Sequence, residues 1–240
     1  MLSTNNVYGD AMTTAIDYTN NPNQRTPCVL VLDASGSMDT VGSNGKTRIA
    51  ALNEGVAILE QHLREDDTAS TRVQLAIVSV GGPGEDADVM MDWTDAINFQ
   101  AFTLRTGGAT PLGRGVQLAL ELIETSKRNL DAAGIGYTRP WMMIISDGEP
   151  TDEKNLWATA AKECRAAEAN KKVEIFAIGV EGADLQTLGE LSSKPPLMLD
   201  GIKFKELFVW LSSSLSAASR SRPGDALQLP STDPWRNVGI

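Results

Sequence analysis

The chain has 240 residues, of which 42% are hydrophobic and 22% charged, and its formal net charge is −10 at pH 7. This length and composition are typical of one large globular α/β domain or of two small ones. The acidity argues against a nucleic-acid binder, which normally carries a basic face. No apolar run approaches the roughly 20 residues that cross a bilayer, and the first residues lack the features of a secretory signal. We therefore expect a cytoplasmic protein with no membrane association.

Apolar runs predict buried strands, and apolar residues at intervals of three or four predict helices. In the first half of the chain the predicted elements are a polar arm (1–26) with at most a short helix near 11–18, a strand at 28–32, a helix from Thr47, a strand at 72–80 and an antiparallel edge strand at 88–93. In the second half they are a helix after the glycine-rich loop 106–113, strands at 141–146 and 173–180 separated by a helix at 155–170, a short helix at 185–191, a short strand at 196–199 and a helix over 204–215.

Strands that alternate with amphipathic helices predict crossover connections and a mainly parallel sheet with both faces covered. The predicted fold class is therefore α/β, with a doubly wound sheet, one antiparallel edge strand and helices on both faces. No linker interrupts the middle of the chain, which indicates one domain. The tail from Arg220 has little apolar periodicity, which indicates an extended segment. Trp235 is the candidate anchor of this tail to the domain surface, and docking on another protein is the alternative.

Five oxygen-bearing side chains are predicted to meet at one edge of the sheet. Asp33 follows the first strand, Ser35 and Ser37 come after it at alternate positions, and Asp147 follows a later strand. Thr110 lies in the glycine-rich loop that leads into a helix at the same layer. Ligands of open parallel sheets bind beyond the carboxyl ends of the strands. With no nitrogen or sulfur donor nearby, this set suits Mg²⁺, Mn²⁺ or Ca²⁺ and not zinc or copper.

Neutral hydroxyls beside the metal, with carboxylates behind them, leave a bound cation electropositive. Such a cation would accept an acidic ligand from outside to complete its coordination. The pattern therefore indicates recognition of a partner more than catalysis.

The motif Asp33-Ala34-Ser35-Gly36-Ser37, followed by Thr110 in Gly-Gly-Ala-Thr-Pro-Leu and Asp147 in Ile-Ile-Ser-Asp-Gly, resembles the von Willebrand factor type A domain and its metal-ion-dependent adhesion site. The resemblance covers roughly residues 27–217. With the polar arm and the extended tail, the chain divides into an arm (1–26), the domain (27–218) and a tail (219–240). The resemblance implies that Ser35 and Ser37 bind the metal directly, Thr110 directly or through water, and Asp33 and Asp147 largely through water. It also implies a protein partner that supplies an Asp or Glu, and no catalytic residues.

Within that family the chain looks most like small intracellular bacterial proteins encoded with tellurium-resistance and stress genes. The segment Asn21-Pro22-Asn23-Gln24-Arg25-Thr26-Pro27 and the Thr-Gly-Gly-Ala-Thr-Pro loop carry this resemblance. It implies a signalling or scaffold role, with an associated kinase or phosphatase as partner. A phage-defence context is equally compatible.

Other functions remain open at this level. Asp33, Ser35 and Ser37 are also good N-cap residues, so a simple helix start is the structural alternative. Gly45-Lys46-Thr47 opens a helix as a phosphate-binding loop does, which suggests a Mg²⁺-dependent nucleotide-binding or nucleotide-hydrolysing protein using Lys46 and Asp147. That motif needs a glycine at position 40, where Thr stands. A third alternative is a subunit of a metal-chelatase type of complex.

The remaining chemical groups are expected to be structural. The single histidine, His62, is predicted on a solvated helix face, which leaves no partner for a Ser-His-Asp triad. Glu149 and Asp152 are predicted as a solvated rim, with extra acidic neighbours of the site as the alternative. Residues 212–214, all serines, are predicted as a solvated helix face. Cys28 and Cys164 are expected to be buried thiols without a disulfide.

Overall fold

A computed structural model of the chain describes residues 21–42, 45–147, 149–222 and 227–236. The strands are β1 (Thr26–Ala34), β2 (Val73–Gly81), β3 (Ala87–Asp95), β4 (Trp141–Ser146), β5 (Glu174–Gly179) and β6 (Leu197–Met198). The helices are α1 (Arg48–Glu65), α2 (Ala69–Arg72), α3 (Leu112–Ala132), α4 (Lys154–Ala169), α5 (Leu185–Leu188) and α6 (Phe204–Arg220).

The described strands form one sheet in the order β3-β2-β1-β4-β5-β6. Every neighbouring pair is parallel except β2 and β3, so β3 is an antiparallel edge strand. All nine residues of β1 are buried, because this strand is central and has parallel neighbours on both sides. Leu30, near its middle, lies beside Ile77 of β2 and Met143 of β4. This arrangement confirms the predicted fold class.

Helices cover both faces of the sheet. Leu30 and Leu32 pack with α1 and α6 on one face, whereas Val29 and Val31 pack with α3 and α4 on the other. This division follows from the alternation of side chains along a strand. On the first face the two helices approach closely, since a Cβ atom on Gly55 of α1 would lie only 2.4 Å from the Phe208 ring of α6.

The connections place a crevice at the carboxyl ends of β1 and β4. The chain leaves β1, crosses one face through α1 and returns in β2. It later crosses the opposite face through α3 and enters β4 on the other side of β1. Such a reversal of strand order is where ligands bind in doubly wound sheets. Asp33, in β1, and Asp147, directly after β4, both lie at this point.

Most predicted elements occur close to their predicted positions. The first strand is longer than expected because Thr26 and Ala34 also pair with β2, and the helix predicted at 185–191 is helical only over Leu185–Leu188. The helix predicted near 11–18 lies outside the described residues. None of the helices in the described part of the chain is both long and apolar enough to cross a bilayer.

The last described segment, 227–236, packs against α6. The Trp235 side chain is fully buried, with its ring centroid 5.4 Å from that of Trp210. The Trp235 backbone carbonyl accepts a hydrogen bond from the Asp200 N–H at 2.8 Å, and the Trp210 indole donates to the Pro230 carbonyl at 2.9 Å. The tail thus lies on its own domain, with Trp235 as the buried contact.

The expectation that serines 212–214 of α6 face solvent is wrong for two of the three. Ser212 and Ser214 are buried, and only Ser213 is exposed. The Ser212 hydroxyl donates to the Val209 carbonyl at 2.8 Å within the helix. The reason is tertiary: α6 packs against both α1 and the tail segment, which covers a wider stripe of the helix than its apolar residues indicate.

The two cysteines are buried free thiols, as expected. Cys28 lies in β1 and Cys164 in α4. Burial raises the pKa of both thiols, that of Cys164 to about 12. Both groups are therefore neutral at physiological pH and act as small apolar side chains in the core.

Glu168, near the end of α4, is a buried carboxylate that holds the segment after α5. It accepts hydrogen bonds from the Ser192 hydroxyl at 3.0 Å, the Ser193 N–H at 2.6 Å and the Lys194 ammonium at 2.8 Å. Burial alone would raise the pKa of this carboxyl. The hydrogen bonds from Lys194 and Ser193 outweigh burial and lower its pKa to about 2.

Since the pKa of Glu168 is depressed in the folded state, its charged form stabilises the fold above about pH 4.3, and this contribution is lost as the pH falls towards 2. Glu168→Gln should lower the free energy of unfolding by about 1–2 kcal/mol at neutral pH, because the half-exposed Lys194 is partly screened by water. Urea unfolding across the acidic range should show this difference shrinking as the pH falls. Ser193→Ala removes only the Ser193 hydroxyl, a further donor to this carboxylate at 2.6 Å, and keeps the backbone N–H, so it should cost less. A pH-independent effect of Glu168→Gln would contradict the assignment.

Candidate metal centre

Asp33 is a fully buried carboxylate near the end of β1, the central strand. Its Oδ1 accepts the Ser35 backbone N–H at 2.8 Å, and its Oδ2 accepts the Ser146 hydroxyl at 2.6 Å. Burial raises the pKa of Asp33, and the nearby Asp147 carboxylate raises it further, while the hydrogen bonds from Ser146 and Ser35 act in the opposite direction. Two acidic groups thus share a region of low solvent access, an arrangement that a bound cation stabilises.

The serines lie on a tight turn directly after β1. Gly36–Asp39 form one turn of 3-10 helix, and the Gly36 N–H donates to the Gly108 carbonyl at 3.2 Å. The Ser35 and Ser37 hydroxyl oxygens are 3.0 Å apart, with Ser35 buried and Ser37 exposed. Ser35 occupies the N-cap position, but its side chain makes no capping hydrogen bond. The Ser35 hydroxyl therefore does not cap the helix, which argues against the structural alternative for this residue.

Asp147 faces the same turn from the end of β4. Its Oδ2 accepts a hydrogen bond from the Ser37 hydroxyl, and its Oδ1 accepts the Glu149 N–H at 3.4 Å. Asp147 is largely buried, with 7% of its surface exposed. Ser37 and Asp147 are 110 positions apart in the sequence, yet the adjacent strands β1 and β4 bring their side chains into contact.

The loop that carries Thr110 packs onto the serine turn. The Gly107 N–H donates to the Ala34 carbonyl at 3.0 Å, and Thr110 is 6% exposed. Thr110 is tied to the loop after β4 by two hydrogen bonds: its N–H donates to the Thr151 hydroxyl at 3.1 Å, and its carbonyl accepts the Thr151 N–H at 2.9 Å. Thr110 is thereby held between the loops that follow β1 and β4.

The structure joins four of the five predicted ligands, Asp33, Ser35, Ser37 and Asp147, through hydrogen bonds. It also packs the loop of Thr110 against the turn that carries the serines. The donors of the five residues are two carboxylates and three hydroxyls, and no group of three or more His, Cys, Asp or Glu in the described residues forms an alternative metal cluster. An all-oxygen set of this kind fits a hard divalent cation, which prefers carboxylate and hydroxyl ligands. The exposed Ser37 leaves the site open at the sheet edge, so a cation held there is reachable by another molecule.

Asp152 is a supporting residue whose role the sequence analysis missed. It was expected on a solvated rim, but its carboxylate accepts the N–H groups of Gly113 at 2.7 Å and Arg114 at 3.1 Å. These are free N–H groups of the first turn of α3, where a negative charge is favourable. Asp152 and Thr151 thus join the loop after β4 to the loop of Thr110. Little in the sequence indicates this role, because a capping residue is normally adjacent to its helix, whereas Asp152 is 39 positions from Gly113.

Lys46 and His62, which the alternative functions would use, contact residues outside the candidate metal centre. The Lys46 ammonium, just before α1, is 2.7 Å from the Glu54 carboxylate of that helix, in an exposed ion pair. His62 is half-buried in α1, and its Nδ1 lies 3.4 Å from the Ser212 hydroxyl of α6. Glu149 is exposed at the edge of the site, as expected for a rim residue.

Comparisons with known proteins identify the family and the fold. The family profile of the von Willebrand factor type A domain matches residues 28–207. A search of curated proteins finds no match. Among solved structures, the pilus adhesin SpaC from Lactobacillus rhamnosus GG is similar with a TM-score of 0.63 and 16% identity, over 81% of this chain and 31% of SpaC. The chain thus spans less than a third of SpaC.

Two further structures are similar in fold. The vWF domain of the type V pili tip protein Mfa5 from Porphyromonas gingivalis has a TM-score of 0.61 and 12% identity, over 85% of this chain and 99% of that domain. The proximal thread matrix protein 1 from the mussel byssus, solved with a zinc-occupied MIDAS motif, has a TM-score of 0.50 and 14% identity, over 82% of this chain and 49% of its own.

Proposed function

The chain belongs to the von Willebrand factor type A family, and on that basis we propose that it is a non-enzymatic module that binds a protein partner through a divalent metal ion. Asp33, Ser35, Ser37, Thr110 and Asp147 hold the ion. The observation that carries this proposal is the contact between the Ser37 hydroxyl and the Asp147 carboxylate, since it joins donors from two separate loops at the strand-order reversal.

The chemistry of the site supports a role in recognition. A bound cation supplies an electropositive centre that accepts a carboxylate oxygen from outside. The chain's own residues orient the donors: the Ser146 hydroxyl and the Ser35 N–H hold the Asp33 carboxylate, and Thr151 holds Thr110. An Asp or Glu of the partner completes the coordination. Mg²⁺ fits this oxygen donor set, with Mn²⁺ and Ca²⁺ as alternatives.

The zinc-occupied MIDAS motif of the mussel protein supports divalent-metal binding at this type of site. It does not make zinc the preferred ion here, because the donor set lacks the thiolate and imidazole groups that favour zinc. The metal is therefore proposed from the chemistry of the donors.

For the biological setting, we propose a cytoplasmic bacterial scaffold or signalling component in a stress, tellurium-resistance or phage-defence system, with a kinase or phosphatase among its partners. The support is the sequence resemblance of the segment before β1 and of the Thr110 loop. The solved pilus proteins are less than 25% identical to this chain and support the fold alone.

The proposal is tested with a matched pair of serine variants. Isothermal titration with Mn²⁺ should show binding to the wild type and to Ser213→Ala, which alters an exposed serine of α6, but not to Ser37→Ala. Immobilised wild-type protein in Mg²⁺ should then capture a partner from an extract of the source organism, and EDTA should release it. Ser37→Ala should capture none.

Two outcomes would count against the proposal. If the wild type binds no Mn²⁺ with or without a captured partner, the five oxygens are not a metal site. If the partner stays bound in EDTA and binds Ser37→Ala equally well, the interaction does not use the metal.

A further inference from the structure

A groove of about 200 Å³ lies beside the candidate metal centre, on the face of the sheet that α1 covers. Most of its surface is apolar. The side chains of Ala34, Pro83, Met90 and Leu104 line it, and so do the charged residues Asp88 and Arg105. The volume is sufficient for one medium-sized apolar side chain. A pocket of this kind gives specificity to a partner that is already bound nearby.

Met90 is an exposed side chain of the groove because β3 is irregular at this point. Val89 pairs with Val78 of β2, whereas Met91 pairs with Ile77, the residue directly before Val78. Met90 is therefore the extra residue of a β-bulge, a feature that redirects a side chain at a sheet edge. It is 47% exposed, although it is large and apolar. Methionine is a flexible side chain that adapts to apolar partners of different shape.

The groove and the metal centre share their backbone. Ala34 lines the groove, and the next residue, Ser35, is a proposed metal ligand. The Gly107 N–H donates to the Ala34 carbonyl at 3.0 Å, and the Gly82 N–H of the groove donates to the Gly107 carbonyl at 2.8 Å. A segment with one residue at the metal therefore has neighbouring residues within reach of the groove.

The rim around the metal centre is acidic. Asp39 ends the serine turn, and the Glu149 N–H bonds Asp147. Glu85 lies against Gly108, since a Cβ atom added to Gly108 would be 2.7 Å from the Cγ atom of Glu85. These three carboxylates are exposed and come from separate loops. A partner that brings a carboxylate to this edge therefore needs positive charges beside it to balance the rim.

The Arg48 guanidinium, at the start of α1, does not neutralise this rim by pairing with its carboxylates. It donates to two backbone carbonyls, that of Glu181 at 2.7 Å and that of Ser37 at 3.5 Å. The Glu181 side chain itself is exposed, which adds a further acidic group to the same edge. The exposed carboxylates therefore favour positive charge on the partner beside them, away from the exposed Arg105 that lines the groove.

We propose that the groove binds an apolar side chain of the same protein segment whose Asp or Glu reaches the metal, and that this segment carries Lys or Arg beside the acidic residue. This inference rests on the proposed function and states which sequence the site selects. The groove binds the apolar residue, the metal binds the acidic residue, and the rim of Asp39, Glu85, Glu149 and Glu181 attracts the basic residues.

The test is selection from a phage-displayed library of random dodecapeptides on the immobilised full chain in Mg²⁺, with elution by EDTA. Wild-type protein should enrich peptides with an acidic residue, an apolar residue at a constant spacing from it, and Lys or Arg nearby. Met90→Lys should keep the enrichment of the acidic residue and lose that of the apolar residue, down to its frequency in the library. Val89→Lys is the matched control, because it places the same charge on a neighbouring exposed residue of β3 that does not line the groove, and it should behave as the wild type does.

The outcomes separate this inference from the proposed function. If EDTA-eluted peptides share an acidic residue but no apolar position, or if Met90→Lys keeps the apolar preference, the groove is not part of the interaction, whereas metal-dependent binding stands. If the acidic residue is enriched without Lys or Arg, the role of the rim is wrong. If the wild type yields no shared EDTA-eluted sequence, both proposals fail. Thermal unfolding of both lysine variants checks that each is folded.

Discussion

Asp33→Ala should abolish the stabilisation of this protein by Mg²⁺. A ligand at about one hundred times its Kd stabilises the folded state by about 2.7 kcal/mol, which for a domain of this size corresponds to about 5–10 °C in Tm. The site is built around the buried Asp33 carboxylate. It accepts hydrogen bonds from the Ser35 backbone N–H, which it thereby orients, and from the Ser146 hydroxyl. Without it, the turn loses a negative charge and the group that fixes its geometry. Thermal unfolding in Mg²⁺ and in EDTA measures the difference for each variant.

Asp39→Ala is the control for this experiment. It removes an exposed carboxylate at the end of the same turn, which is not one of the proposed ligands. Its difference in Tm between Mg²⁺ and EDTA should stay close to that of the wild type. A loss of the Mg²⁺ response in both variants would mean that general acidity, and not the geometry around Asp33, binds the cation.

Gly81→Ala should damage both the fold and the metal centre. Gly81 ends β2 with a φ of 76°, a region that costs a residue with a side chain about 1–2 kcal/mol. Its Cβ atom would also lie 2.4 Å from the Ala109 carbonyl oxygen and 2.9 Å from the Ser35 Cα, both of them backbone atoms. Relief of this overlap requires the loop of Thr110 to move away from the serine turn. We expect a loss of about 2–4 kcal/mol in the free energy of unfolding, together with weaker Mn²⁺ binding.

Gly134→Ala separates the two causes of this effect. Gly134 follows α3 with a φ of 68°, but a Cβ atom there would meet nothing within 4 Å. This variant should therefore lose only the conformational part, about 1 kcal/mol, and should bind Mn²⁺ as the wild type does. Urea unfolding and titration calorimetry of both variants give the comparison. Equal effects of the two substitutions would show that the close approach of the loops at Gly81 is not required.

The alternation of apolar runs and amphipathic segments predicted the α/β sheet, its antiparallel edge and most of its elements. These patterns are local: a buried strand such as β1 needs a continuous apolar run, and a helix such as α1 needs an apolar stripe. The five candidate ligands were also found in the sequence, because Asp33, Ser35 and Ser37 form a short motif and Thr110 and Asp147 come from expected loops.

Other features arise from residues that are distant in the sequence. Asp152 caps a helix that begins 40 positions earlier in the chain, and two serines expected to face solvent are buried because α6 is covered by α1 and by the segment around Trp235. Local patterns carry no information on such contacts, since the partners are brought together by the strand order.

The sequence by itself determined the fold class, and it predicted both the edge of the sheet where the oxygens lie and the all-oxygen donor set of the candidate site, because each depends on residue type and short-range periodicity. Tertiary structure alone decided that Ser37 contacts Asp147, that Gly81 lets two loops approach closely, and that the bulge at Met90 opens an apolar groove beside them. The physical reason is that backbone overlap, bulges and capping at long range depend on how separate loops pack, which no single segment of the chain specifies.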